Sequence, residues 1–350
     1  MRIGLYGMPT AGKTYIMERI NFIDVLFGSS LLREYDSEFD HRSKNEREKD
    51  RSALAELCKK RDNFIMDGHY AFGDELAFTD KDGEMYDHFL YLYVSPEVLS
   101  QRMDRSDKNR KYLKYDIEGW QQREIQGLRS YCHRHNKNFY VLDCPPDNEY
   151  ANVEEVISFI KEIVQGYNNV QMAETIAKEI VNQLHSGVVT LLDGDKTFIS
   201  EDSSSVVFDY NTHVFDGNFY TGFQTWKQYR EFEYYNIKIP EKVDVHRNHK
   251  MPEQFIGDAF IISSGNNKIW EKIASQFSMP YFSGNSISAE TKFFVAKFLR
   301  NRGIHVVAYG DSMCDLYMLR EANEGYLVRR QNGGFSRSLR GQDLGGIHNV

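Results

Sequence analysis

Short apolar runs recur along the chain at intervals that fit strands separated by helices. Residues 2–6, Asn63-Phe64-Ile65-Met66, Phe89-Leu90-Tyr91-Leu92-Tyr93-Val94 and Tyr140-Val141-Leu142 form one set. Val188-Val189-Thr190-Leu191-Leu192, Ala259-Phe260-Ile261-Ile262 and His305-Val306-Val307-Ala308-Tyr309 form a second. Runs this short and this rich in β-branched and aromatic residues predict buried strands. Amphipathic stretches lie between them. Val153 to Gln165, Val170 to Leu184 and Lys292 to Leu299 are predicted helices, and Ser95-Pro96-Glu97 opens another with Ser at the N-cap and Pro at N1. The pattern predicts α/β architecture: two tandem parallel-sheet domains, at 1–166 and 170–350, joined at Gly166-Tyr167-Asn168-Asn169.

Several strands end in residues with chemistry. The run at 188–192 is followed by Asp193-Gly194-Asp195-Lys196-Thr197. Ligands bind at the carboxyl ends of strands in an open parallel sheet. Two carboxylates placed there repel each other unless a cation or a proton relieves them. A Mg²⁺ site with a carboxylate free to attack is one reading; an Asp-Gly turn between strands is the other. The later strands end in Ser263-Ser264-Gly265-Asn266 and Gly310-Asp311-Ser312-Met313-Cys314-Asp315. Together with Lys292, the order DxDxT, strand plus Ser, Lys, then GDSxxD resembles the haloacid-dehalogenase (HAD) phosphatase superfamily, nearest its phosphoserine-phosphatase-like branch.

That resemblance implies a Rossmann-like fold and a Mg²⁺-dependent phosphomonoesterase. It implies Asp193 as the nucleophile that forms an aspartyl-phosphate. Asp195 would protonate the leaving oxygen and then activate water. Ser263 would bind phosphoryl oxygens, and Lys292 would balance charge. Asp193, Asp195, Asp311 and Asp315 would surround the metal, with Asp315 as a ligand or as support for one. Lys196 departs from the family, which usually has Gly before the Thr. The aromatic-rich segment at about 198–256, from Phe208 and Tyr210 to Tyr234 and Tyr235, stands where such enzymes insert a small cap. Some of its rings are expected to form the cap's own core, and a capped site favours a small phosphoester.

The N-terminal half carries Gly7-Met8-Pro9-Thr10-Ala11-Gly12-Lys13-Thr14, a complete GxxxxGK[ST] pattern between a strand and a helical stretch predicted to run to about Phe27. Backbone N–H groups of such a turn hold phosphates, Lys13 would neutralise charge and Thr14 would touch Mg²⁺. Asp67 ends the next strand like a Walker-B carboxylate. With the Ser95-Pro96-Glu97 helix and its arginines, this half resembles the P-loop kinases of nucleotides and small metabolites. The resemblance implies ATP as donor, with Gly7, Gly12, Lys13, Thr14 and Asp67 in its site. It places Arg102 against the adenine, and Arg105 and Arg110 in a mobile lid. The acceptor site is marked only by Arg33 to Arg42. Asp40, and beside it Asp36, are its candidate bases, Arg42 is a candidate anion clamp, and His69 a candidate substrate contact. A charged loop and a structural histidine remain the alternatives.

Composition bounds the picture. The net charge of −8 gives no global basic field for nucleic acid or anionic membrane. Lys and Arg outnumber Asp and Glu at 101–140, interleaved with Tyr112, Tyr115, Trp120 and Tyr131. A nucleotide lid is favoured there over a nucleic-acid surface. Cys58, Cys132, Cys144 and Cys314 lack metal-ligand spacing, and no signal-like or membrane-spanning run appears. Reduced thiols and a cytoplasmic location are expected. The tail from Gln331 on, rich in Gly, Ser and Arg, is expected to be loosely ordered or to pack at an interface. The function expected is a bifunctional kinase and phosphatase acting on a phosphorylated small molecule or nucleotide. A nucleic-acid end-repair kinase–phosphatase, like polynucleotide kinase–phosphatase in domain order, and a phosphatase gated by a nucleotide sensor are the alternatives. The sequence leaves the oligomeric state open.

Overall fold

Val189 and Leu191 join one apolar cluster, and Leu192 joins another on the opposite face of the same strand. The split reflects the period of two, which sends neighbouring side chains to opposite faces of a sheet. Phe260 and Ile262 against Ile261, and Val306 and Ala308 against Val307, divide the same way. Both faces are apolar, so both must be covered, as parallel sheets require. The computed structural model describes residues 1–143, 152–208, 214–215, 217–235 and 238–350. Cys144 with its turn to Asn148, and Tyr210, lie outside the described residues, as does the side chain of Tyr235. The chain divides into two units, Met1–Tyr167 and Asn168–Val350.

In the first unit the elements run β1 (Arg2–Tyr6), α1 (Lys13–Met17), β2 (Asp24–Leu26), α2 (Gly28–Tyr35), α3 (Lys44–Cys58), β3 (Phe64–Asp67), β4 (Ala71–Phe72), β5 (Glu75–Leu76), α4 (Asp80–Met85), β6 (His88–Leu92), α5 (Pro96–Asp104), α6 (Ile117–His135), β7 (Asn138–Leu142) and α7 (Val153–Val164). The main sheet has the order β2-β3-β1-β6-β7, and every pair in it is parallel. β4 and β5 form a small antiparallel ribbon. Strand order reverses at β1, so the crevice beyond the carboxyl ends of β1 and β3 is the expected ligand position.

The helix after the glycine-rich turn is shorter than its sequence predicts. It stops at Met17, and Asp24–Leu26 becomes an edge strand paired with Phe64–Met66. Pairing to a neighbouring strand outweighs a weak local helix preference here.

In the second unit the order is α8 (Asn169–Gln183), β8 (Val188–Leu192), α9 (Ser203–Val207), α10 (Gly222–Tyr235), β9 (Asp258–Ser263), α11 (Asn267–Phe277), β10 (Tyr281–Ser283), α12 (Ala289–Asn301), β11 (His305–Gly310), α13 (Met313–Glu321), β12 (Glu324–Leu327) and β13 (His348–Asn349). The six strands lie β10-β9-β8-β11-β12-β13, all parallel. Order reverses between β8 and β11. One face buries α8 and α12 through Ile176, Ile180, Phe294 and Leu299.

Part of the aromatic insert packs on the sheet: Phe208, Phe232, Val243, Val245 and Met251 join the same cluster as Leu192, Ile261 and Trp270. The tail from Gln331 is also built into the fold. Its end forms β13 on the sheet edge, and Leu339 and Ile347 are buried in the core of the α8 face. Cys58, Cys132 and Cys314 are buried. No helix among the described residues is long and apolar enough to cross a membrane.

Two candidate active sites

Gly7 comes directly after β1 with φ of 152°, and an added Cβ would stand 2.9 Å from the Leu92 carbonyl oxygen. Only a residue without a side chain passes there. The turn closes at Gly12, φ 101°, which caps α1. Lys13 is buried. Its Nζ donates to the Gly7 carbonyl at 2.5 Å and the Met8 carbonyl at 3.2 Å. Burial lowers its pKa to about 8, against the pull of Asp67. Asp67 ends β3 beside Leu5 of β1, and its Oδ1 accepts from Gly28 N at 2.7 Å.

A cavity of about 980 Å³ opens over this turn, lined by Lys13, Thr14, Asp67 and Asp40 among others. Its charged lining is unbalanced. Lys13, Arg33, Arg47, Arg51, Lys108, Lys111 and Lys114 face Asp40, Asp67, Glu75 and Asp82. Asp40 Oδ2 accepts from Arg33 Nε at 2.8 Å, which holds its carboxyl below the usual range. His69 lines the cavity with Nδ1 unpartnered, and burial keeps its pKa well below the ordinary histidine value.

The arginines expected around the nucleotide divide. Arg102 Nη1 donates to the Thr10 and Ala11 carbonyls at 3.2 and 3.4 Å, so it braces the glycine-rich turn from outside. Arg105 is the C-cap of α5 and exposed, and Arg110 folds back on the Asp104 carbonyl at 3.0 Å. Neither lines the cavity; the cations that do so from this segment are Lys108, Lys111 and Lys114. Asp36 and Arg42 pair with each other at 2.6 Å, also off the cavity lining. Sequence reading missed Arg47 and Arg51, which α3 presents to the cavity one turn apart. The signal was there, since i and i+4 on a helix share a face. It also missed Glu124, a fully buried carboxylate that accepts from Ala71 N, Tyr91 Oη and Trp120 Nε1 and so ties α6 to β4 and β6.

In the second unit the strand ends converge. Asp193 comes directly after β8, and its N–H donates to the Tyr309 carbonyl of β11 at 2.9 Å. Asp311 comes directly after β11. Lys292, on α12 and buried, donates to Asp193 Oδ1 at 2.5 Å and Asp315 Oδ1 at 2.7 Å. The other oxygen of Asp315 accepts from Asp311 N, Ser312 N and Ser312 Oγ at 3.0–3.2 Å. It therefore fastens the loop that aims Asp311.

Burial raises the pKa of Asp193 to about 6, aided by Asp315. Burial likewise raises Asp311 to about 8, aided by Asp193 and Asp315. Burial opposes the charge on Lys292, but Asp193 and Asp315 outweigh it and hold its pKa above the usual lysine value. Ligand atoms of Asp193, Asp311 and Asp315 lie within 4.8 Å of one another, and Asp311 Oδ2 is buried without a hydrogen bond. Crowded carboxylates, one of them orphaned, fit a hard divalent cation.

Asp195 lies outside that trio. Its Oδ1 accepts from Ser203 N at 2.8 Å, and burial with Asp202 beyond raises it to about 7. Lys196, at φ 59°, turns away to Asp202 at 2.5 Å, so its charge is already matched. Ser263 is buried, with its Oγ accepting from Gly265 N at 3.0 Å. A Cβ on Gly194 would lie 2.8 Å from that Oγ and inside the ring of Trp270. The loop from Asp193 to Asp195 thus rests on a tryptophan that its own sequence does not announce.

The model of the AAA domain matches residues 6–121. No curated protein matches the chain. Among solved structures, shikimate kinase from Bacteroides thetaiotaomicron is 17% identical, over 47% of this chain and 98% of that one, with a TM-score of 0.34. A gluconokinase from Sinorhizobium meliloti is 13% identical, over 46% and 95%, with a TM-score of 0.27. A HAD family hydrolase from Salmonella enterica serovar Typhi is 16% identical, over 48% and 69%, with a TM-score of 0.29.

Proposed function

We propose that the chain is a bifunctional enzyme. Its second unit is a Mg²⁺-dependent phosphomonoesterase of HAD type, and its first is an ATP-dependent kinase of small, anionic acceptors. The observation that carries the first half is the buried group around Lys292, at the point where strand order reverses. A nucleophile there needs an ionised carboxylate, a fixed cation beside it and room for a metal. Asp193, Lys292 and Asp311 answer those needs in turn.

In this reading Asp193 Oδ2 attacks phosphorus as the ester oxygen leaves, giving an aspartyl-phosphate and an alcohol. The neutral form of Asp195, favoured by its raised pKa, supplies the proton that the alkoxide takes up. The resulting carboxylate then removes a proton from water as that water displaces Asp193 from phosphorus, releasing phosphate. Mg²⁺ held by Asp193 and Asp311 supplies charge neutralisation. Asp315 supports Asp311 and Lys292 rather than spending an oxygen on the metal. Ser263 and Lys292 face the phosphoryl oxygens.

For the first unit, the glycine-rich turn with Lys13, Thr14 and Asp67 supports ATP with Mg²⁺ as donor. The surplus of cations lining the cavity supports a phosphorylated or carboxylated acceptor, with Asp40 as its base. Because Lys108, Lys111 and Lys114 line this cavity, the basic stretch is better matched to a small anion than to a nucleic-acid surface.

The test is a substrate panel on the full chain and its Asp193→Asn and Lys13→Ala variants. Nucleosides, sugars, phosphorylated amino acids and 3′-phosphorylated oligonucleotides are compared for phosphate release and for transfer from labelled ATP. Hydrolysis of small phosphoesters lost only in Asp193→Asn supports the reading. Hydrolysis retained in that variant overturns Asp193 as nucleophile, and turnover of oligonucleotides alone overturns the small-molecule assignment.

A further inference from the structure

Arg330 stands beside Asp311, and the topology explains why. β12 pairs with β11 in parallel, so the chain leaving Leu327 emerges at the same sheet end as the chain leaving Gly310. Val328 N donates to the Gly310 carbonyl at 2.8 Å, two residues before Arg330. The backbone of Arg330 is then held from both sides. Its carbonyl and that of Arg329 accept from Lys250 Nζ at 2.9 and 2.7 Å, and its N–H donates to the Gly334 carbonyl.

The side chain is only half committed. Nη2 donates to Ser336 Oγ at 2.9 Å and lies 3.2 Å from Asp311 Oδ2. Yet Asp311 Oδ2 has no properly directed hydrogen bond, and Arg330 Nε is buried with none either. A buried donor or acceptor left so costs free energy that a better-placed partner recovers. Both atoms therefore lack the partner they are built for. A metal is the partner an orphaned carboxylate oxygen wants. A phosphoryl oxygen is the partner an orphaned guanidinium edge wants.

Charge points the same way. Lys292 is shared by two carboxylates, and Lys196 is matched by Asp202. Arg330 is thus the cation near Asp311 whose partner is one the metal would claim.

Resting on the phosphatase reading above, we propose that Arg330 has two alternating partners. Before metal binding it holds Asp311 as a stand-in cation; once Mg²⁺ takes Asp311, its guanidinium turns to the substrate's phosphoryl group. The consequences have opposite signs. Removing the guanidinium removes a competitor for Mg²⁺, and it removes a binding group for phosphate.

The test uses the full chain in a Lys13→Ala background, which suppresses phosphate binding at the first unit. Calorimetric titrations with MgCl₂ alone, and with inorganic phosphate at saturating Mg²⁺, are compared for Arg330, Arg330→Gln and Arg330→Lys, with Asp311→Asn to identify heat from this site. Arg330→Gln is expected to bind Mg²⁺ about fivefold tighter and phosphate about tenfold more weakly. Arg330→Lys, which keeps the charge, recovers part of both. Arg330→Gln with either affinity unchanged, or with both weakened together, overturns the proposal and leaves the phosphatase reading standing. No Mg²⁺ heat that is lost in Asp311→Asn overturns both.

Discussion

Lys292 on α12 and Asp315 on α13 meet at 2.7 Å with side chains 1% and 0% exposed. The same ammonium reaches Asp193 at 2.5 Å. A buried cation shared by two carboxylates is weak evidence of net stability, but removing it leaves two charges stranded. Lys292→Met is therefore expected to lower stability by about 3–5 kcal/mol, read from the urea midpoint. Adding Asp315→Asn should recover part of that loss, because it removes one stranded charge. Phosphomonoesterase activity should stay absent in both. An unchanged midpoint in Lys292→Met would show that the carboxylates are neutral in the folded protein.

Gly194 is required by contact rather than by φ. A methyl group there enters the Trp270 ring and stands 2.8 Å from Ser263 Oγ. Overpacking a filled site costs about 1–3 kcal/mol. Gly194→Ala should lose that much stability and most hydrolysis, since the peptide it displaces joins Asp193 to Asp195. Gly194→Ala with Trp270→Leu, which opens space, should be more stable than the sum of the two single losses. Strict additivity in this cycle, measured by thermal unfolding, would place the effect elsewhere.

How much of this the sequence disclosed depends on how local each feature is. The strands before Asp193, Asp67 and Asp311 were legible, since an apolar run ending in a carboxylate is a local pattern. The parallel α/β class was legible in the alternation of runs and amphipathic stretches. Asp24–Leu26 was not legible as a strand, because its pairing with Phe64–Met66 is decided by a partner about forty residues away. Trp270, Glu124 and Arg330 were missed for the same reason. Each acts through a contact distant in sequence: Trp270 beneath Gly194, Glu124 on Tyr91, Arg330 beside Asp311. Arg105 and Arg110 show how far a local pattern reaches. Their order along the chain suggests a basic lid, and the structure places Lys108, Lys111 and Lys114 of that segment on the cavity while Arg110 turns back to Asp104.

Lys13 offers a test of the first unit with a sign in pH. Its pKa is lowered to about 8 by burial, so the lysine is charged below that value and neutral above it. ATP affinity should then fall as pH rises through about 8. Lys13→Ala should flatten the profile and reduce ATP-dependent transfer at least about a hundredfold, the scale of losing one preorganised charge donor. Phosphomonoesterase activity should be unaffected. Fluorescent-nucleotide titration from about two pH units below that pKa to one above it checks both statements. A profile that does not change in Lys13→Ala would remove this lysine from the phosphate site.

His88 predicts where acid weakens the first unit. It opens β6, is buried and stacks on Tyr140 with ring centres 6.1 Å apart, and its Nδ1 has no hydrogen-bond partner. Burial lowers its pKa to about 4 from the ordinary 6.5. The unfolded chain therefore takes up a proton that the folded chain refuses between those values. The stability this histidine lends is complete above pH 6.5 and is lost as pH falls towards 4, by about 3 kcal/mol at most. Asp195 and Asp311, with pKa values raised to about 7 and 8, act in the opposite direction, since protonation favours their folded state. The histidine term must accordingly be read as a difference. Urea unfolding followed in the first unit at about pH 7 and about pH 4.5 should show a larger loss of stability in the native chain than in His88→Gln, whose side chain does not titrate. Equal losses in the two proteins would mean that His88 is charged, or solvated, in the folded state.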